Sequence, residues 1–247
     1  MRPNLTVLCT QWGSKYDASY VNRLQAMVGR HLHQPHRFVC LTEDPEGLKP
    51  EVEALPFPDT GVAALDRKAA WTREHGWLKT SVLAAPLHDI TGTVLCLDLD
   101  IVIVDALDPF LEVSGEFVAI REWDKSDGTG NTSVFRFRAG AHDDLLDPLR
   151  SDPVQARAGV RNEQEYITLQ LARQGRLSYW PGDWVRSFKR HCTRPFPLSL
   201  WQPPRIPPGT RIIAFHGRPN PPDAMEGRSG RWYRRIRPTP WIRKHWR

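Results

Sequence analysis

Residues 93–104 read Thr-Val-Leu-Cys-Leu-Asp-Leu-Asp-Ile-Val-Ile-Val, and Val94 to Val104 is the longest apolar run in the chain. A run this apolar predicts a strand from Gly92 to Val104 in the middle of a parallel sheet that is covered on both faces. Asp98 and Asp100 interrupt the run, and their side chains point to the same side because they are two residues apart in an extended segment.

This aspartate pair predicts a cation site. Two neighbouring carboxylates repel each other, and burying either one is costly unless a cation joins them. A hard divalent ion such as Mn²⁺ or Mg²⁺, with oxygen ligands, resolves that conflict and can also hold a diphosphate. In the competing interpretation, one aspartate caps the next turn and the other is solvated.

The first hundred residues alternate between strand and helix patterns. Strands are predicted at Asn4–Thr10, Arg37–Thr42 and Gly92–Val104, and helices at Tyr16–Leu32 and Trp77–Leu87. This alternation favours a doubly wound α/β domain with a mostly parallel central sheet. Such sheets bind ligands at the carboxyl ends of their strands. We therefore expect the loops 10–16, 42–47 and 98–105 to lie close together.

The second half continues the α/β pattern with shorter elements. Predicted are strands at Phe117–Arg121, Thr132–Phe137 and Arg211–Phe215, a helix at Glu163–Gln174, and an ordered, non-helical loop at 195–209, which is rich in proline.

Composition places the chain among ordinary globular proteins. Of its 247 residues, 40% are hydrophobic and 25% are charged, which excludes disordered, collagen-like and coiled-coil chains. No apolar run approaches the ~18 residues of a membrane span, and the N-terminus lacks a signal pattern. We expect a cytoplasmic protein, with contact at the inner face of a membrane as an option.

Basic charge is concentrated at the C-terminus. Residues 225–247 hold eight Lys/Arg and one Glu, so of the net charge of +6 they carry +7 and the remaining residues carry −1. We expect one domain over 1–222 and a basic, Trp/Arg-rich tail over 223–247. Arginines interleaved with tryptophans suit an anionic membrane surface, an acidic glycan or, less well, nucleic acid. In the alternative, Trp241 and Trp246 pack back on the domain.

A second candidate site follows the last predicted strand, in Phe215-His216-Gly217-Arg218-Pro219. Glycine leaves room for a ligand to approach closely, and imidazole can bind a manganese-like ion. Arg218 is placed to face a phosphate, and Lys189 is another candidate for a diphosphate contact.

Together these motifs resemble the GT-A-fold glycosyltransferases that use nucleotide sugars, in particular family 8 with its glycogenin and bacterial galactosyltransferase members. The resemblance covers residues 4–220 and rests on the order and spacing of short motifs. It also takes in Trp77-Leu78-Lys79, Asn131-Thr132-Ser133-Val134 and Asn162-Glu163-Gln164. It implies transfer of a sugar from a nucleotide sugar, with UDP as the expected nucleotide and retention as the expected stereochemistry. A glycan or lipid-linked acceptor is expected.

The resemblance implies a role for each matching position. The metal ligands would be Asp98, Asp100 and His216, and Glu163 and Gln164 would lie at the reacting carbon. Donor contacts would come from Thr10, Tyr16 and Asp44 at the nucleotide, Lys79 and Asp98 at the diphosphate or sugar, and Asn131 at the sugar.

The chain departs from the family pattern in three places. Glu163 stands where the family has Asp, Thr132-Ser133 replaces a smaller Ser/Ala-Gly, and the longer His-x-x-Gly-x-x-Lys-Pro-Trp pattern is compressed to His-Gly-Arg-Pro at residues 216–219. The first change moves a carboxylate by about one methylene group.

Two other function classes stay open at this point. An Asp-x-Asp pair also suits a phosphatase with an aspartate nucleophile and an aspartate acid, although that scheme places the pair on the first strand. In the third interpretation the protein is not an enzyme and binds a membrane or nucleic acid through its tail, which leaves the buried acidic pair unexplained.

Overall fold

The computed structural model describes residues 3–62, 73–125, 127–229 and 236–247. The strands are β1 Leu5–Gln11, β2 Arg37–Thr42, β3 Glu53–Leu55, β4 Thr93–Leu97, β5 Ile101–Ile103, β6 Phe117–Arg121, β7 Gly130–Arg138, β8 Leu177–Tyr179, β9 Val185–Ser187 and β10 Ile212–Ala214. The α-helices are α1 Ala18–His31, α2 Asp147–Ser151, α3 Pro153–Arg157, α4 Glu163–Arg173, α5 Pro221–Met225 and α6 Pro240–His245. Shorter helical segments are the 3-10 helices Arg73–Leu83, Asp108–Leu111, Asp143–Leu146 and Leu198–Leu200 and the π-helical turn Phe188–Cys192.

Seven strands form the central sheet, in the order β3-β2-β1-β4-β7-β6-β8. The first four run parallel to one another, β7 is antiparallel to both of its neighbours, and β6 and β8 are parallel. The predicted α/β class with a mostly parallel central sheet is therefore confirmed. The carboxyl ends of β1 and β4 are adjacent, which brings the loops after them together.

The predicted strand Gly92–Val104 is wrong as a single element. It divides into β4 and β5, and the break falls at Asp98-Leu99-Asp100. The amide of Asp98 still donates to the Ser133 carbonyl beside β7 at 2.9 Å, whereas the carbonyl of Asp100 accepts from the Phe215 amide at 2.9 Å. The chain thus changes partners between the two aspartates and enters a second sheet with the order β5-β10-β9. Because the residues on both sides of the break are apolar, the sequence pattern does not indicate the break.

The predicted helix Trp77–Leu87 is shifted and of a different type. The structure has a 3-10 helix at Arg73–Leu83. The hydroxyls of Thr80 and Ser81 each donate to the carbonyl three residues earlier, at 2.7 Å, and so compete with the α-helical pattern. The helix α1, by contrast, lies within the predicted range because Asp17 caps its first turn and its apolar positions recur at helical spacing.

Both faces of β1 are covered. Leu5, Val7 and Cys9 face the core formed with α1, while Leu8 faces the core formed with the Arg73–Leu83 helix. This alternation follows from the two-residue period of a strand.

The described part of the predicted tail packs on the body of the protein. Ile242 and Trp246 are buried in the core on the α1 side, and the indole of Trp241 donates to the Pro204 carbonyl at 3.0 Å. Of the two interpretations of Trp241 and Trp246, packing is therefore the correct one. The basic segment Arg231–Arg235 lies outside the described residues.

In the described ranges, no helix has both the length and the apolar character that crossing a membrane requires.

Candidate active site

A cavity of about 310 Å³ opens where the carboxyl ends of β1 and β4 meet. Nine of the residues predicted from the sequence line it, namely Thr10, Tyr16, Lys79, Asp98, Asp100, Asn131, Glu163, Gln164 and His216. The cavity is also lined by Gln11, Trp12, Lys15, Gly76, Leu99, Ser133, Phe215 and Gly217. It thus collects residues that are up to about two hundred positions apart in the chain.

Lys79 and Asp98 form an ion pair on the cavity wall. The Lys79 ammonium also donates to the Thr132 carbonyl at 2.7 Å, and its side chain is only 6% exposed. Burial alone would lower the pKa of Lys79, but the Asp98 carboxylate outweighs it and the pKa is raised. Lys79 is therefore a buried, fixed positive charge beside the first aspartate.

Tyr16 holds the second aspartate. Its hydroxyl donates to Oδ2 of Asp100 at 2.6 Å. Burial and then the charge of Asp98 raise the pKa of Asp100 to about 6. The contact of Tyr16 with a nucleotide base stays a prediction, and in the structure its hydroxyl supports a carboxylate. Its ring still lines the cavity.

The aspartate pair fits a divalent cation. Asp98 and Asp100 line the same cavity, and burial, followed by the charge of Asp98, raises the pKa of Asp100, so a bound cation would stabilise the charged carboxylates. His216 lines the same cavity, but the described residues contain no group of three His, Cys, Asp or Glu side chains close enough to hold a metal. Mg²⁺ usually binds through one or two protein carboxylates, with phosphates and water as its other ligands. The two aspartates would therefore be enough as the protein ligands.

Glu163 begins α4 and faces the cavity beside Gly76. A Cβ atom at position 76 would lie 2.8 Å from the carboxylate oxygen Oε2 of Glu163, so the glycine makes room for it. Burial raises the pKa of Glu163, while the charge of Lys79 opposes the shift. This half-buried carboxyl group lines the cavity together with Lys79 and Asp98.

Gln164 is fixed by the strand opposite. Its side-chain oxygen accepts from the Thr132 amide at 2.9 Å and from the Thr132 hydroxyl at 3.4 Å. The side-chain oxygen of Gln164 is the acceptor in both bonds, so its amide NH₂, which can only donate, is the group left to contact a ligand. Asn131 is similarly fixed, since its oxygen accepts from the Ser133 amide at 2.9 Å and its NH₂ donates to Glu122 at 3.3 Å.

His216 is held at the opposite rim. Its Nε2 is 2.6 Å from the Ser187 hydroxyl, and the ring of Trp123 stacks on it with centroids 5.7 Å apart. Burial, followed by the nearby charge of Lys189, lowers the pKa of His216 to about 4, so the imidazole is neutral at pH 7. Gly217 then takes a φ of +67°, a conformation that side chains disfavour.

Three predicted residues lie outside the cavity lining. Asp44 is exposed and its carboxylate accepts from the Glu46 amide at 2.9 Å, which stabilises a turn. Lys189 donates to the carbonyl of His216 and so supports the rim from behind. Arg218 is exposed beyond Gly217.

Sequence reasoning missed Trp12, Lys15, Gly76 and Ser133 as lining residues. Trp12 lies two residues after the end of the predicted strand Asn4–Thr10, and that position was the available signal. Its indole N–H is buried and has no hydrogen-bond partner among the described residues. Gly76 gave no signal, because its role depends on the distant Glu163.

The architecture and the cavity at the ends of β1 and β4 define a GT-A-type α/β fold. Among solved structures, the chain is similar to LgtC, a galactosyltransferase, in a crystal structure with a glutamine-to-glutamate substitution in the active site. The TM-score is 0.58, the sequence identity is 13%, and the alignment covers 92% of each chain. No protein-family model and no curated protein matches the chain. The likeness establishes the fold, and the activity has to be argued from the site.

Proposed function

We propose that the protein is a metal-dependent glycosyltransferase that moves a sugar from a nucleotide sugar, with UDP as the expected nucleotide, to an acceptor hydroxyl. The observation that carries this proposal is the aspartate pair at the break between β4 and β5. Both carboxylates line the cavity of a GT-A-type fold, together with Lys79, Glu163 and Gln164.

The wall near β1 suits the nucleotide. Thr10 lies near the end of β1 and Trp12 and Tyr16 follow the strand, and the two aromatic rings offer surfaces on which a base can stack. The unpartnered N–H of Trp12 would gain a hydrogen-bond acceptor from the ligand. The nucleotide is proposed to lie along this wall, with its diphosphate towards Asp98 and Asp100.

The leaving group of the reaction is a nucleoside diphosphate, which gains negative charge as the bond to the sugar breaks. A Mn²⁺ or Mg²⁺ ion bound by Asp98 and Asp100 would neutralise part of this charge. Lys79 adds a buried, fixed ammonium group at the same wall, where it would stabilise the charge that develops on the diphosphate. His216 is neutral and closes the opposite rim, where it can contact the diphosphate or the ion.

Glu163 and Gln164 are proposed to act at the sugar. As the bond from the anomeric carbon to the diphosphate oxygen breaks, the sugar gains oxocarbenium character, which the Glu163 carboxylate would stabilise. The Gln164 NH₂ and Asn131 would bind sugar hydroxyls. The acceptor oxygen bonds to the anomeric carbon, and its proton passes to the departing diphosphate oxygen. Entry of the acceptor on the leaving-group face would retain the configuration.

The experiment measures UDP released by slow donor hydrolysis, so that no acceptor has to be known. UDP-glucose, UDP-galactose and UDP-N-acetylglucosamine are each tested with and without Mn²⁺. We expect metal-dependent release from one donor and a loss of at least a hundredfold in Asp98→Asn. Asp147→Asn is the matched control, because Asp147 is exposed and its ion pair with Arg150 lies on the surface.

The phosphatase hypothesis is tested with the same variants. Release of phosphate from p-nitrophenyl phosphate that disappears in Asp98→Asn, without release of UDP from any donor, would replace the glycosyltransferase proposal.

A further inference from the structure

Exposed large apolar side chains are concentrated in one loop. Among the described residues, four large hydrophobic side chains are exposed, and three of them lie within six positions: Phe196 at 81%, Leu198 at 39% and Trp201 at 66%. The fourth, Val154 at 75%, is on α3. We refer to Arg194–Arg205 as the aromatic loop. Clustered exposed aromatic residues in a globular protein mark a binding surface.

The aromatic loop is ordered, so the exposure is a property of its fold. The amides of Ser199 and Gln202 donate to the carbonyls of Pro195 and Leu198, at 3.1 and 2.9 Å. At its ends, the Arg194 guanidinium donates to the side-chain oxygen of Gln202 at 3.0 Å, and the Arg205 amide donates to the Cys192 carbonyl at 2.9 Å. These bonds hold the loop in a shape that leaves the aromatic side chains in water.

The surroundings of the loop are basic. From Trp184 to Pro222 the chain contains seven Lys or Arg residues and no Asp or Glu. Two of these cations pair with acids elsewhere, since Arg190 contacts Asp124 and Arg211 contacts Asp105. Within the loop itself, Arg205 is exposed and Arg194 is half-buried.

The helix α6 extends this basic surface. The indole of Trp241 donates to the Pro204 carbonyl, so the start of α6 lies against the aromatic loop. Two further cations on the helix, Arg243 and Lys244, are exposed. The apolar side chains of the aromatic loop and the exposed cations of α6 therefore lie on adjoining segments.

We propose that the aromatic loop docks the protein on an anionic lipid bilayer. Phenylalanine and tryptophan partition into the headgroup region, and each nearby cation adds about 1 kcal/mol of attraction to an anionic surface. A proline-rich loop that is already ordered loses little entropy on docking. We favour an anionic bilayer over another protein because the chain from Trp184 to Pro222 carries seven Lys or Arg residues, two of them paired with an aspartate in the described ion pairs, and no Asp or Glu. This surface is distinct from Trp241 and Trp246, which are occupied by packing.

Docking would orient the candidate active site. The loop begins two residues after the π-helical turn Phe188–Cys192, whose Lys189 supports the carbonyl of His216 at the cavity rim. An acceptor anchored in the bilayer would then be presented on the rim side of the cavity. The docking proposal itself does not require the glycosyltransferase proposal.

The test is co-sedimentation of the full chain with vesicles, without any nucleotide or metal, so a failure of the proposed function cannot affect the result. Vesicles of phosphatidylcholine alone are compared with vesicles that also contain phosphatidylglycerol. The variants are Phe196→Ser with Trp201→Ser, Arg205→Gln, and Val154→Ser as the control at an equally exposed apolar position. Thermal unfolding of each variant reports whether the fold is intact.

We expect the wild type and Val154→Ser to bind the phosphatidylglycerol vesicles and to bind phosphatidylcholine alone much more weakly. The double variant should bind at least tenfold more weakly, and Arg205→Gln about fivefold more weakly, which corresponds to ~1 kcal/mol. Equal binding of the double variant and wild type, or no binding of wild type to either vesicle, would overturn the proposal. So would dimerisation of the wild type in solution that the double variant abolishes, because the loop would then bind a second copy.

Discussion

The hydroxyl of Tyr16 donates a hydrogen bond to Asp100 across 84 positions of sequence, at 2.6 Å. The ring of Tyr16 in turn packs on Tyr20, with centroids 4.8 Å apart, and Tyr20 packs edge-on against Trp246 at 5.1 Å. Arg23 lies over the Trp246 ring at 4.3 Å. A continuous column of rings therefore joins the second aspartate of the candidate site to the C-terminal end of the chain.

The first prediction concerns the Tyr16 hydroxyl. Tyr16→Phe keeps the ring and removes the hydrogen bond to Asp100, so the free energy of unfolding should fall by about 1 kcal/mol. Binding of Mn²⁺ and UDP should weaken roughly fivefold, because Asp100 loses the group that positions it. Calorimetric titration measures the affinity. Tyr166→Phe is the control, since its hydroxyl donates to the Leu145 carbonyl at 2.7 Å and does not line the cavity; an equal loss of affinity there would contradict the prediction.

The second prediction concerns the far end of the column. Trp246 is 4% exposed, and Trp246→Ala should lower the free energy of unfolding by about 3–5 kcal/mol. It should also weaken UDP binding, because Tyr20 and Tyr16 lose their support. Ile242→Ala also removes a buried side chain of α6, but Ile242 is not part of the column. Ile242→Ala should lower the free energy of unfolding without weakening UDP binding to the same extent. Calorimetric titration below the melting temperature measures the affinity for UDP. Identical affinities for the two variants would show that the column does not reach the site.

The third prediction uses Gly76 to move Glu163. The φ angle of Gly76 suits any residue, and a Cβ there would meet only the end of the Glu163 side chain. Gly76→Ala should therefore displace the carboxylate and leave the melting temperature nearly unchanged. We expect donor hydrolysis to fall about tenfold or more in kcat, with a small change in KM, because a misplaced catalytic group is costly. Gly182→Ala is the control, since a Cβ there meets nothing within 4 Å. Full activity in Gly76→Ala would argue against a role for Glu163 at the reacting carbon.

The fourth prediction is a pH dependence set by Glu165. Burial opposes its charge, but contacts with Arg161 and Lys125 outweigh burial and lower the pKa of Glu165 from 4.5 to about 2. Its contribution to stability is therefore fully present above pH 4.5 and is lost as the pH falls towards 2. Glu165→Gln should lower the free energy of unfolding by about 1–2 kcal/mol at pH 7. The loss is modest because Arg161 is mostly exposed, and solvent weakens its attraction to Glu165. Urea unfolding of the wild type and of Glu165→Gln is measured at pH 7 and at pH 3. The difference between their free energies of unfolding should be smaller at pH 3. An equal difference at both pH values would contradict a lowered pKa of Glu165.

The elements that local pattern specifies were predictable. The strand β2 begins and ends at the predicted residues, and α1 and α4 lie within a few residues of their predicted bounds. Each has a clear period and a capping residue or turn at its ends. The break between β4 and β5 was not predictable, because it depends on which distant strand pairs with each half.

The candidate site shows the same division. The carboxyl ends of strands and the Asp-x-Asp pair pointed to Thr10, Asp98 and Asp100, which the structure brings to one cavity. Asp44 follows a strand as well, yet its carboxylate stabilises its own turn. The role of Gly76 depends on Glu163, which is far away in sequence, and no local pattern marks it.

The central claim is that Asp98 and Asp100 bind a divalent cation together with a nucleoside diphosphate. Thermal unfolding with UDP, GDP and CDP, each with and without Mn²⁺, tests it most directly. Ligand at about a hundred times its dissociation constant adds roughly 2.7 kcal/mol of stability. We predict a Mn²⁺-dependent stabilisation by UDP that is lost in Asp98→Asn/Asp100→Asn and kept in Asp147→Asn. Stabilisation that is independent of Mn²⁺, or that persists in the double variant, would contradict the claim.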